Sequence, residues 1–144
     1  MSRSASIDIL LSDVDGYARV DAFLSSATDY GWKVEFNGRI NYLPLGDEDF
    51  DWQIVSAEEY GRVKSEMVEK YERGEMVGVT LFFVEVALDL ILIPETKKYS
   101  FIVGANRQEL KGCDVVDFSW YLERLLPVFY SLGALIELVE CSDA

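Results

Sequence analysis

The spacing of hydrophobic and polar residues along the chain predicts alternating strands and helices. Residues 6–11 read as a strand. A helix capped by Asp15 should follow and end at Gly31. Its apolar positions recur at helical spacing and comprise Tyr17, Val20, Leu24 and Ala27.

The next segment predicts a β-hairpin. Asn37 and Gly38 lie between two alternating runs, residues 32–36 and 39–43, and this dipeptide is the strongest short signal for a hairpin turn. Pro44 should end the second strand, because proline cannot donate to a strand ladder.

A second helix is predicted from a capping box of Ser56 and Glu59, and it should end at Gly74. Its apolar stripe comprises Tyr60, Val63, Met67 and Tyr71. Its exposed face should carry three ion pairs at i,i+4 spacing, namely Glu58–Arg62, Glu66–Lys70 and Glu69–Arg73.

Strands dominate the rest of the chain, apart from one helix. Residues 77–84, 88–93 and 99–104 are rich in β-branched and aromatic side chains. Residues 114–133 read as a third helix, capped by Asp114 or Asp117 and kinked or shortened by Pro127. Residues 135–140 are predicted to form a last strand. We therefore predict a single α+β domain over residues 1–144, in which three helices and a mixed, largely antiparallel sheet of about six to seven strands form two layers.

The charge balance changes the picture of function. The chain has 26 acidic residues against 13 basic residues, and no histidine. Ser-His-Asp and Cys-His catalysis are therefore impossible within this chain. An acidic surface repels nucleic acid and anionic lipid and favours a basic partner, although acidity also serves solubility alone. We expect no enzyme activity and no cofactor.

The location of the protein is predicted from what the chain contains. The sequence has no secretory signal and no apolar run of membrane-spanning length, so a cytoplasmic protein is expected. Cys113 and Cys141 should then be free thiols. The oligomeric state cannot be predicted.

The stretch GDEDFDWQ, residues 46–53, is the main candidate site. As an EF-hand loop, Asp47, Asp49, Asp51 and Glu58 would occupy positions 1, 3, 5 and 12, but Trp52 stands where the turn needs glycine. The stretch is otherwise a solvated turn or a docking surface. We predict no metal site, and we name as partner-binding residues Asp47, Glu48, Asp49, Phe50, Asp51 and Trp52.

Two further features offer alternative functions. The stretch LLSDVDGY resembles the first motif of haloacid-dehalogenase-type phosphotransferases, which implies Asp13 as nucleophile and Asp15 as general acid in a magnesium-dependent enzyme. Tyr17 replaces the usual threonine, and an Asp-capped turn explains the same residues. A small-ligand-binding module is the other alternative, with a pocket or contact patch formed by Tyr42, Phe50, Trp52, Trp120 and Tyr121.

The whole chain resembles the small, acidic immunity proteins of bacterial polymorphic toxin systems. The resemblance rests on the size, the α+β order, the lack of catalytic groups, GDEDFDW and the late DFSWYLERLLP helix. It implies a protein that binds and occludes a cognate toxin, often a basic nuclease. By that resemblance, the acidic residues of 47–51 would engage Lys or Arg of the toxin, and Phe50 or Trp52 would be the anchor.

Overall fold

The structure of the protein, a computed structural model, describes residues 4–12, 19–47 and 49–144. Its strands are Ala5–Leu11 (β1), Trp32–Lys33 (β2), Glu35–Phe36 (β3), Arg39–Tyr42 (β4), Gln53–Ser56 (β5), Val77–Phe83 (β6), Val86–Ile93 (β7), Lys98–Val103 (β8) and Ile136–Asp143 (β9). Its α-helices are Val20–Asp29 (α1), Tyr60–Glu72 (α2) and Phe118–Ser131 (α3).

The strands form one sheet in the order β3-β4-β6-β7-β8-β1-β9, while β2 pairs with β6 and β5 pairs with β4. All of the pairings between these strands are antiparallel. The predicted α+β class and largely antiparallel sheet are confirmed. The two-layer arrangement stays a prediction.

The core is built from alternate strand residues and the apolar stripes of the helices. Ile7 and Ile9 of β1 are fully buried and belong to one cluster with Phe23 of α1 and Phe129 of α3. The ring centroids of Phe23 and Phe129 lie 5.2 Å apart. Each such side chain contributes about 1.5–3 kcal/mol by leaving water. The opposite face of β1 is only half-buried.

The predicted hairpin is present. Asn37 and Gly38 both have positive φ, 52° and 75°, as the tight hairpin turn requires. The strand predicted over residues 32–36 is interrupted at Val34, so that its first part pairs with β6 and its second part with β4.

The structure confirms the end of α2 and corrects the prediction for its charged face. Ser56 caps a 3-10 turn, Ala57–Glu59, that leads into the helix, and Gly74 follows its last turn with φ of 76°. Glu69 and Arg73 pair at 2.6 Å as predicted. Arg62 pairs instead with Glu59 and Glu66. Lys70, predicted to be exposed, is 1% exposed.

The third helix is capped by Asp117, which accepts from the N–H of Trp120. The helix is not shortened, since it continues through Pro127 to Ser131. Proline removes the helical donor to the carbonyl of Glu123, a residue on the outer side of the helix whose side chain is 75% exposed. The predicted cap Asp15 and the stripe residue Tyr17 lie outside the described residues; the first helix begins at Val20.

A candidate protein-docking loop

The acidic loop, residues 46–52, joins β4 to β5 and is held by helix α2. The N–H of Gly46 donates to Oε1 of Glu75 at 3.1 Å. The N–H of Leu45, just before the loop, donates to Oε1 of Glu66 at 3.4 Å. Two carboxylates of α2 and of the segment after it thus satisfy the backbone at the start of the loop.

The buried side chain of Lys70 also stabilises the segment just before the acidic loop. Its ammonium is buried and donates to the carbonyl of Leu43 at 3.2 Å. Burial lowers the pKa of Lys70, and the nearby carboxylates of Asp47, Glu75 and Glu66 oppose that shift. The positive charge of Lys70 therefore lies near Asp47 of the loop and near Glu66 and Glu75, which bind the backbone at its start.

Asp47 organises the loop itself. Its carboxylate accepts from the N–H of Phe50 at 3.0 Å and from the N–H of Asp51 at 2.8 Å. Phe50 has a φ of 56°, a left-handed conformation that is uncommon for a non-glycine residue. These two hydrogen bonds hold the turn, so Asp47 fixes the backbone conformation of the loop.

The two aromatic residues of the loop are placed differently. Trp52 is half-buried, and Cη2 of its ring lies 3.2 Å from the position that a Cβ on Gly78 would occupy. The indole therefore packs closely on the backbone of β6. Phe50 is 56% exposed, and Ile54 at the start of β5 is 66% exposed. Of the two predicted anchors, Phe50 is the one that the structure presents to solvent.

Asp49 and Asp51 flank Phe50 and are both exposed. Within the described ranges, neither carboxylate has a basic partner within ion-pair distance. No Lys or Arg occurs between Arg39 and Arg62, while six acids do. The loop thus combines an exposed ring with two carboxylates available to cations.

The other predicted sites are the calcium loop and the motif with Asp13 and Asp15. Strand β5 separates Asp47 from Glu58, so the twelve residues do not form a continuous calcium loop. No cluster of three or more metal-ligating His, Cys, Asp or Glu side chains occurs among the described residues. Asp13, Asp15 and Glu48 lie outside the described residues.

The predicted aromatic pocket is not assembled. Tyr42 and Tyr121 are buried in the core cluster, with exposures of 3% and 0%. Trp120 stacks under the guanidinium of Arg124, whose Cζ lies 4.1 Å from the ring centroid. These rings therefore fill the core or its border, and Phe50 alone of the set is largely exposed.

Sequence reasoning missed the residues that brace the loop. Glu66, Lys70 and Glu75 are 20 or more residues away from the groups that they bind at the loop. For Lys70 the sequence contained one signal of burial, because position 70 lies one turn after the buried Met67 on the same side of the helix. Its i−4 neighbour Glu66 suggested a surface pair instead.

Comparisons with protein-family models, with curated proteins and with solved structures found no match to this chain. Within the described part of the chain, no helix has the length and apolar character needed to cross a membrane. Cys113 and Cys141 are both free, as predicted, and both are exposed.

Proposed function

We propose that this protein is an acidic, cytoplasmic binding protein that neutralises a cognate basic toxin by occluding it. One observation carries the proposal: Phe50 is exposed on a braced turn between two exposed carboxylates, Asp49 and Asp51. An aromatic anchor beside charges that have no internal partner is typical of protein interfaces.

The bracing of the acidic loop favours tight binding. A loop that is already ordered loses less conformational entropy when its partner docks. Asp49 and Asp51 would engage Lys or Arg of the toxin, and Phe50 would fill a pocket on it. Asp47 and Trp52 would support the loop from within, and Glu48 remains a predicted contact. Negative potential over this surface would also steer a basic partner and speed association.

The immunity-protein resemblance supplies the consequence of docking. A basic nuclease needs its cationic surface to hold phosphates, so an acidic protein seated on that surface would exclude the substrate. Neutralisation by occlusion needs no catalytic group on this chain.

The test begins with capture of the partner by tagged protein from native cells, followed by expression of the captured partner alone. We expect the partner to arrest growth and co-expression of this protein to restore it. The double variant Asp49→Lys and Asp51→Lys should fail to restore growth and should bind the purified partner at least about tenfold more weakly.

The matched control reverses two acids elsewhere, Asp29 at the end of α1 and Glu123 on α3, both of them exposed. This control, Asp29→Lys and Glu123→Lys, has the same net charge as the loop variant and should still restore growth. Rescue by both variants alike would rule out the acidic loop as the docking surface. A partner that causes no growth arrest would rule out toxin neutralisation.

A further inference from the structure

Strand β9 is an open edge at the far end of the sheet from the acidic loop. Among the described residues it pairs with β1 alone, while β5, which follows the acidic loop, pairs with β4 at the other end. Leu138 is 45% exposed, and Glu137, Glu140 and Cys141 are also exposed. An open edge offers unpaired backbone groups to another chain.

The hydrogen-bond pattern shows which backbone groups of β9 are not bonded to β1. Ser4 and Ala144 exchange both backbone hydrogen bonds, at 2.8 and 3.0 Å. Bonded and non-bonded pairs alternate along an antiparallel ladder. In the register of β1 and β9, Glu140 therefore bonds to Asp8, whereas the N–H and C=O groups of Val139 and Cys141 point away from β1.

The edge of β9 is protected only in part, since its three acids would repel an acidic strand but not a cationic one. The strand is eight residues long and contains no lysine, proline or glycine. Its one irregularity is a bulge at Glu137, since Leu10 pairs with Leu138 and Leu11 with Ile136. Natural edge strands are usually short, bulged or lysine-bearing where pairing must be avoided. The regular part of β9 beyond the bulge keeps the geometry of a pairing template.

The charges at this edge indicate which kind of strand would pair with β9. Asp8 and Glu140 lie directly opposite each other, and like charges in that position destabilise a strand pair. Asp8, Glu140 and Lys98 line one small surface depression. Lys98 belongs to β8, however, and β1 lies between β8 and Glu140. A cation next to Glu140 on the outer side would relieve the repulsion. A second copy of β9 would add more acids instead.

We propose that β9 binds an extended segment of another protein by strand addition, with Lys or Arg facing Glu140 on one face of the sheet and an apolar residue facing Val139 on the other. Backbone bonds to Val139 and Cys141 would supply affinity, and the alternating side chains would supply specificity. The inference does not depend on the acidic loop, which lies at the opposite end of the sheet.

An octapeptide that alternates Lys and Val is the probe. By NMR, it should slow hydrogen exchange of the Val139 and Cys141 amides, which exchange rapidly in the free protein, while the Glu140 amide is already protected by Asp8. A Glu/Val octapeptide and a Lys/Val octapeptide N-methylated at alternate residues should give no protection.

Variants separate strand addition from charge attraction. Cys141→Pro removes one outward N–H at an edge position, where proline is tolerated, and should abolish binding, whereas Cys141→Ser should bind normally. Glu140→Lys should weaken binding of the Lys/Val peptide about tenfold and create binding of the Glu/Val peptide. If Cys141→Pro does not fold, the N-methylated peptide and Glu140→Lys decide the matter.

Three results with the peptides, and a fourth with the acidic-loop variant, would overturn the proposal. The first is peptide binding without protection of the two edge amides. The second is an unchanged preference in Glu140→Lys. The third is protection that rises with protein concentration alone, which would make the occupant a second copy. Binding should survive the acidic-loop variant Asp49→Lys and Asp51→Lys; its loss there would place the peptide on the acidic loop instead.

Discussion

Asp47 and Asp49 are two acids of one loop with different tasks, and a pair of substitutions can separate them. Asp47→Ala removes the acceptor of the Phe50 and Asp51 amides. Both amides should then exchange faster, and the free energy of unfolding should fall by about 1 kcal/mol. Asp49→Ala removes an equal charge without those bonds and should change neither. Equal exchange rates in the two variants would show that Asp47 does not hold the turn.

Lys70 is a buried cation whose main hydrogen bond is to a backbone carbonyl. Lys70→Met should lower the free energy of unfolding by about 1–3 kcal/mol, because the Leu43 carbonyl loses its buried donor. Lys64→Met makes the same chemical change on the same helix, on a side chain that is not fully buried, and should cost much less. Urea unfolding of both variants at neutral pH is the measurement. A harmless Lys70→Met would mean that the ammonium is not needed to hold this segment.

The lowered pKa of Lys70 also predicts a pH dependence. Between that lowered pKa and the ordinary value of 10.5, the unfolded chain binds more protons at this site than the folded chain does. The contribution of Lys70 to the free energy of unfolding should therefore rise with pH through that window. The difference between the wild type and Lys70→Met should be larger at pH 10 than at pH 7. A constant difference would contradict the shift.

At the scale of elements, Gly78 on β6 is where the sheet meets the acidic loop. A Cβ at this position would lie 2.5 Å from Cδ1 of Leu43 and 3.2 Å from the ring of Trp52. Gly78→Ala should therefore displace Leu43 and Trp52, change the tryptophan fluorescence, and cost about 1–3 kcal/mol of stability. Thermal and urea unfolding would measure the loss.

Gly61 provides the control for that substitution. A Cβ there meets nothing within 4 Å, and the residue lies in the first turns of α2. Gly61→Ala should raise stability by up to about 1 kcal/mol, since alanine favours the helix. Destabilisation by both substitutions would show that close contact at Gly78 is not the cause.

Elements with local signals were predictable, and those decided by tertiary contacts were not. The Asn37–Gly38 turn, the stop at Gly74 and the cap at Asp117 each depend on neighbours in sequence, and each is present. Strand β5 was missed because its four residues follow the acidic loop without clear alternation and are ordered by pairing with β4. The burial of Lys70 was missed because its acceptor lies 27 residues away.

The same division applies to the candidate site. The sequence predicts the acidic segment as a solvated turn or docking surface between a strand that ends at Pro44 and a helix that opens at Ser56, and Phe50 and the acids beside it are exposed accordingly. The choice between Phe50 and Trp52 as the exposed ring depends on Gly78, which the fold brings against the loop from another strand. Which aromatic residue of a loop faces solvent is therefore a property of packing.

At the scale of the whole molecule, the formal net charge of −13 governs how a partner is reached. Between ~10 mM and ~150 mM salt the Debye length shrinks from about 30 Å to about 8 Å, so long-range steering is lost. The association rate with the purified partner should fall about tenfold or more over that range, and the dissociation rate should change little. Stopped-flow mixing at several salt concentrations measures both rates.

The two charge-reversal variants separate steering from binding. In the Asp49→Lys and Asp51→Lys variant the dissociation rate should rise as well, because contacts made at the loop are lost. The Asp29→Lys and Glu123→Lys control should show only slower association. Identical dissociation rates in the two variants would mean that the acidic loop takes part in steering but not in the bound interface.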